Sequence, residues 1–184
     1  MENRQILSKT TVRLHWLVAI VMICMLALGT YMSLLEVYEI YDVHKSIGVV
    51  MFPLLLVRVV WRLKQGWPEP ISRYSALEHL LARITHWGLL IGTVLLPVTG
   101  TLYSGASGHG FGIFGLQIFP ANYHPTAAGQ VIPYHESLSM IGETAHEWTG
   151  YSVMALLVLH IAGAIKHHLI DSDGTLRRML GKSV

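Results

Sequence analysis

His146-Glu147-Trp148-Thr149-Gly150-Tyr151-Ser152-Val153-Met154-Ala155-Leu156-Leu157-Val158-Leu159-His160 is a largely apolar run with a histidine at each end, fourteen residues apart. An α-helix turns about 100° per residue, so fourteen residues bring a side chain back to within about 40° of its starting face. The same fourteen residues rise about 21 Å, most of the ~30 Å hydrocarbon thickness of a bilayer. Read as a helix, this stretch offers one imidazole near each membrane surface, both on one side. Two more histidines, His15 and His44, stand near the starts of the first two apolar stretches of the chain. Histidines inside a membrane are rare and point to function by default.

The membrane reading rests on composition and length. Hydrophobic residues make up 52% of the 184 and charged residues only 13%, where a soluble domain is nearer a quarter charged. Four stretches have spanning length: about 14–35, 44–63, 80–103 and 147–170. The second contains Pro53 and Arg58, the third Arg83, His86 and Pro97, and the fourth Lys166. Proline inside such helices is tolerated because neighbours satisfy the freed carbonyls. The first stretch follows a basic flank, Arg4, Lys9 and Arg13, but is longer than a signal-peptide core and lacks a clean cleavage site, so it is expected to be retained. The expectation is an all-α, integral membrane four-helix transmembrane bundle in which residues 1–184 form a single domain.

Charge sets the expected orientation. With the N-terminus cytoplasmic, twelve of the thirteen Lys and Arg residues fall on the inner side. The outer side carries Lys45 against Glu36, Glu39, Asp42, Glu136, Glu143 and Glu147. This bias places both termini in the cytoplasm. A net charge of +2 leaves no nucleic-acid footprint. The single cysteine, Cys24, lies mid-helix and reads as packing. The long outer segment, 104–133, is rich in Gly, Pro and aromatic residues and is expected to form a partly ordered cap.

In this topology His15 and His160 share the inner depth, and His44 and His146 the outer. Two imidazoles at each of two depths suggest two stacked haems, each six-coordinate and therefore suited to shuttling electrons rather than activating oxygen. Each of these histidines taken alone also fits an interhelical hydrogen bond or a proton relay. A zinc or copper site needs ligands converging at one depth, not two layers some 20 Å apart.

Several stretches extend this reading. They are Leu14-His15-Trp16; His44-Lys45-Ser46-Ile47-Gly48; His86 followed by Leu96-Pro97-Val98-Thr99-Gly100; His146-Glu147, His160 and His167-His168; and Asp173-Gly174-Thr175-Leu176-Arg177-Arg178-Met179. Through them nearly the whole chain resembles the bacterial cytochrome b561 family of small di-haem membrane proteins. The resemblance implies that His15, His44, His146 and His160 bind the iron of two haem b groups. It also implies an oxidoreductase that moves electrons between a periplasmic donor and the membrane quinone pool, with ubiquinone as acceptor. One branch resembles a superoxide oxidase and would want a positive outer surface to steer an anion. The acidic outer face here departs from that branch.

The remaining candidates keep two readings each. Arg58 lies fourteen residues after His44, on the same face but at the inner layer, where it pairs with a haem propionate or snorkels to the surface. Arg13 and Lys166 share that choice. His86 either contacts a quinone, as hydrogen-bond partner or proton donor, or simply packs. His167 and His168 are expected to be interfacial hydrogen-bonding groups, and His109, His124 and His135 ordinary loop residues. Two rivals remain: a membrane anchor passing electrons to a separate catalytic subunit, and a haem-free proton or metal transporter.

Overall fold

The computed structural model describes residues 6–183; Arg4, counted in the basic flank above, lies outside them. Four long helices dominate: α1 (Lys9–Leu35), α2 (Tyr41–Gln65), α3 (Ala76–Ala106) and α4 (Glu136–Leu169). All four are long and apolar enough to cross a bilayer. A short helix α5 (Thr175–Met179) follows α4, and a 3-10 turn (Tyr38–Ile40) links α1 to α2. Between α3 and α4 lies a hairpin of β1 (Phe111–Ile113) and β2 (Leu116–Phe119), antiparallel with Ile113 opposite Leu116. The bundle thus has a basic end, where α2 finishes at Arg62 and Lys64, and a hairpin end.

The helix ends follow from capping rather than hydropathy. The Ser8 side chain accepts the Thr11 amide at 3.1 Å and starts α1 five residues before the apolar run begins. Ser75 and Glu78 form a reciprocal capping box at the start of α3. The His135 imidazole accepts the Leu138 amide at 3.3 Å and starts α4 at Glu136. The sequence reading placed the start of this helix at residue 147. Glu136, Ser137, Ser139, Glu143 and Thr144 make the intervening turns too polar to register as a span, yet nothing in them breaks a helix. Hydropathy marks where lipid begins, whereas hydrogen bonding marks where the helix does. The long segment between α3 and α4 folds as the hairpin and its flanks.

α3 and α4 make the most extensive helix pair, and glycine makes it possible. A Cβ on Gly92 would lie 2.5 Å from Val153 Cγ2, and one on Gly142 would lie 2.7 Å from the Tyr103 backbone nitrogen. Small residues let membrane helices approach, since lipid gives apolar side chains no preference for one another. At the bundle centre Val18, Met22, Met51, Leu55, Leu96 and Val153 form the buried core, drawn from all four helices.

Gly142→Ala is expected to destabilise the bundle by about 1–3 kcal/mol, the usual range for overpacking, because the clash is with backbone. Gly150→Ala, with nothing within 4 Å of its Cβ position, is expected to be neutral or slightly stabilising. Helical thermal denaturation in detergent distinguishes the two, and equal loss in both would refute the close-approach reading.

Candidate functional site

The structure brings the four singled-out histidines together in two pairs. At the hairpin end, His44 on α2 faces His146 on α4 with ring centroids 6.2 Å apart and planes at 89°. At the basic end, His15 on α1 faces His160 on α4 at 6.1 Å and 58°. Imidazole nitrogens bond metals at about 2.0–2.1 Å, so two rings on opposite sides of one ion need centroids about 6 Å apart. Both pairs meet that spacing.

The hairpin-end pair is framed by its neighbours. His146 Nδ1 lies 2.9 Å from the Leu96 carbonyl, with Thr99 Oγ1 3.2 Å from the same nitrogen. A carbonyl only accepts, so Nδ1 carries the proton and Nε2 keeps its lone pair, the state an imidazole needs to ligate. His44 Nδ1 is buried without a hydrogen-bond partner among the described residues. Such an orphan costs about 1–3 kcal/mol. Two glycines leave room for the rings: a Cβ on Gly29 would lie 3.3 Å from His44 Cε1, and one on Gly100 would lie 3.0 Å from His146 Cε1.

The basic-end pair has a more polar setting. Arg58 Nη2 donates to His15 Nδ1 at 3.3 Å. A guanidinium only donates, so this contact holds His15 with its proton on Nε2. Ligation through Nε2 would require the arginine to release it. His86 on α3 approaches His160, with centroids 5.4 Å apart, and Trp67 stacks on His86 at 5.2 Å and 15°. Arg62 covers Trp67 at 5.1 Å from the ring centroid. A cofactor with an apolar ring and two carboxylates fits these residues, with imidazoles for the metal and Arg58 and Arg62 for the acids.

The other sequence candidates are elsewhere. Arg13 is exposed in the first turns of α1. Lys166 binds Glu78 and, at 2.8 Å, Asp171, so its charge is already matched. His167 Nδ1 lies 2.7 Å from Asp171 and 3.5 Å from Asp173, and His168 is exposed. His124 Nδ1 accepts the Thr126 and Ala127 amides in a turn, His135 caps α4, and His109 meets Ser107 Oγ at 3.0 Å. Gly29, Thr99, Gly100 and Trp67 were given no role from sequence. Each acts on a histidine of another segment, and one segment's periodicity carries no sign of that.

Outside the spans, the basic end is closed by a clamp. Tyr74, in the loop before α3, donates to Asp173, whose other oxygen accepts the Thr175 amide at 2.8 Å. The Lys166 ammonium holds the Asp171 carboxyl below the usual carboxylate range. Burial alone would raise Asp173, but the bonds from Tyr74 and Thr175 hold it below that range too.

A family model described as prokaryotic cytochrome b561 matches residues 7–182. The chain is 37% identical over 174 residues to cytochrome b561 homolog 2 of Escherichia coli K12, covering 92% of this chain and 88% of that protein. It is 25% identical over 178 residues to cytochrome b561 homolog 1 of the same organism, covering 94% and 96%. Similarity to a protein named probable superoxide oxidase CybB, of Yersinia pestis, is 28% over 143 residues, covering 76% and 74%.

The clamp predicts a pH dependence. A carboxyl lowered on folding contributes stability above its unfolded pKa and loses it as pH falls through the folded value. Asp173→Asn is therefore expected to lower the midpoint of thermal denaturation at pH 7, with the difference from wild type narrowing below about pH 4. Tyr74→Phe should lower it as well. A pH-independent difference for Asp173→Asn would mean that its carboxylate charge is not what the clamp uses.

Proposed function

The chain belongs to the prokaryotic cytochrome b561 family, haem b proteins of membrane electron transfer, and from that premise we propose that it carries electrons through two haem b groups from a periplasmic donor to membrane ubiquinone. His44 and His146 would hold one group, and His15 and His160 the other. The observation that supports this most is the pair of facing imidazole layers at 6.2 and 6.1 Å, with α4 giving one ring to each. Bound haem supplies reversible one-electron chemistry that no side chain here offers.

The protein's own contribution is orientation, charge and dryness. The Leu96 carbonyl orients His146. Arg58, which donates to His15, and Arg62 would be the residues to hold a haem propionate by charge-assisted hydrogen bonds, with the exposed Arg13 a further candidate. Val18, Met22, Met51, Leu55, Leu96 and Val153 separate the two layers with an apolar plug, so that electrons cross without a water path for protons. His86, against His160 and under Trp67, is the group placed to give a proton or hydrogen bond to a quinone at the basic end.

The basic end is assigned to the cytoplasmic face of a bacterial inner membrane, because twelve of the thirteen Lys and Arg residues lie toward it in sequence. The donor then meets an end carrying Glu36, Glu39, Asp42, Glu136, Glu143 and Glu147, a field that favours a neutral or cationic reductant over an anion such as superoxide.

Dithionite-reduced minus oxidised spectra with haem quantified per polypeptide test the proposal. Two low-spin haems b per chain are expected in the wild type, and a colourless, well-folded preparation would end it. His160→Ala is expected to lose the basic-end haem alone and His146→Ala the hairpin-end haem alone; loss of both in either variant would contradict two independent layers. His86→Ala should keep both haems while quinone reduction slows by about 10²-fold, the lower range for a general acid. Unchanged quinone kinetics would remove His86 from the quinone site.

A further inference from the structure

The segment 104–135 contains no Asp, Glu, Lys or Arg in thirty-two residues. A stretch of that length in water carries about eight charged residues on average. Its hairpin also leaves large apolar side chains uncovered: Phe114 is 67% exposed and Leu116 68%, with Ile118 exposed beside them.

The hairpin's depth explains both facts. Its base is fixed above the first turns of α2, where Gly110 O accepts from Ser104 Oγ at 2.6 Å and from Lys45 Nζ at 3.4 Å. Its tip is fixed beside the same turn, where the Phe114 amide donates to Ser46 Oγ at 2.9 Å. Two rulers give the level of Ser46. Along α2, Ser46 and Arg62 are sixteen residues apart, about 24 Å. With the Arg62 charge at one surface of a ~30 Å hydrocarbon layer, Ser46 falls just inside the other. Along α4, the exposed Glu143 and Glu147 give way to exposed Trp148 and Tyr151, the change that marks a membrane boundary. His146 lies in that transition and faces His44, two residues from Ser46.

We infer that the tip of this hairpin, Phe114-Gly115-Leu116, is a lipid-surface anchor seated at the headgroup–acyl boundary of the hairpin-side leaflet. Aromatic and apolar side chains without charge are what that layer accepts. The chain returns from α3 toward the bilayer edge beside α2 before it reaches α4. The anchor would thus hold the cap over the hairpin-end histidine pair by gripping lipid on one side and the α2 side chains Lys45 and Ser46 on the other.

Site-directed spin labelling tests this without reference to activity. Cys24 is the single cysteine, so a Cys24→Ser background accepts Phe114→Cys, Leu116→Cys and, as control, Ser137→Cys. Ser137 is exposed on α4, nine residues before His146 and therefore about 13 Å farther out. In phosphatidylcholine vesicles, labels at 114 and 116 are expected to collide strongly with oxygen. Their collisions with an aqueous nickel chelate should be several-fold fewer than at 137. Nickel accessibility equal to that at 137 would overturn the inference by showing the tip in water. Shielding from both reagents with spin–spin broadening would also overturn it, and would point to a second copy as the occupant. If Phe114→Cys disturbs the turn, Leu116→Cys carries the same test from the opposite strand.

Discussion

Two imidazole pairs face each other at opposite ends of the bundle, and one helix supplies a ring to both. The rest of the packing is arranged around that contact. On α4 the partners are His146 and His160, and Val153 stands seven residues from each. α1 and α2 are antiparallel, so His15 near the start of one and His44 near the start of the other arrive at opposite depths. The buried core then collects midway between the layers, where Val18, Met22, Met51, Leu55, Leu96 and Val153 meet. Ring pairs about 6 Å apart also fix how closely α4 can approach α1 and α2. Since those gaps are set by the rings, the close packing that holds the bundle together has to come from elsewhere.

It comes from α3. Gly92 and Gly142 seat α3 and α4 against each other at distances a methyl group would block. Gly100 serves this contact and the site at once. It lets α3 lie against the His146 ring, and that brings the Leu96 carbonyl within 2.9 Å of Nδ1. A helical carbonyl has a second lone pair, so Leu96 can orient the imidazole without giving up its place in the helix. Stability and ligand orientation therefore rest on the same small residues.

The pairing of the histidines was legible because it needed only helix geometry and charge bias: spacing gave the face, and depth gave the partner. Arg58 was legible in the same way, and it lies at the basic-end layer as its spacing from His44 implied. Lys166 had two readings by sequence, and the structure gives it a third, pairing it with Glu78 and Asp171. The start of α4 was misplaced because the polar turns from Glu136 to Ala145 are helical without being apolar. Trp67 over His86 and Gly29 beside His44 were invisible for a different reason. Each joins two segments whose relative rotation is decided by packing, and no single segment's pattern encodes that.

The two ends of the bundle also differ in the chemistry they offer. The hairpin-end pair has a carbonyl, a threonine hydroxyl and two glycines around it, groups that position a ring and exchange no proton. The basic-end pair has a third imidazole, an indole and two guanidinium groups within reach. Electron entry from a one-electron donor needs only the first kind of setting. Reduction of a quinone to a quinol takes up protons as well as electrons, and so needs a titratable group beside the electron's exit. Under the proposed function His86 would be such a group at one end, with the apolar core lying between the two layers. The asymmetry between the two ends therefore lies in their side chains, around imidazole pairs that are nearly alike.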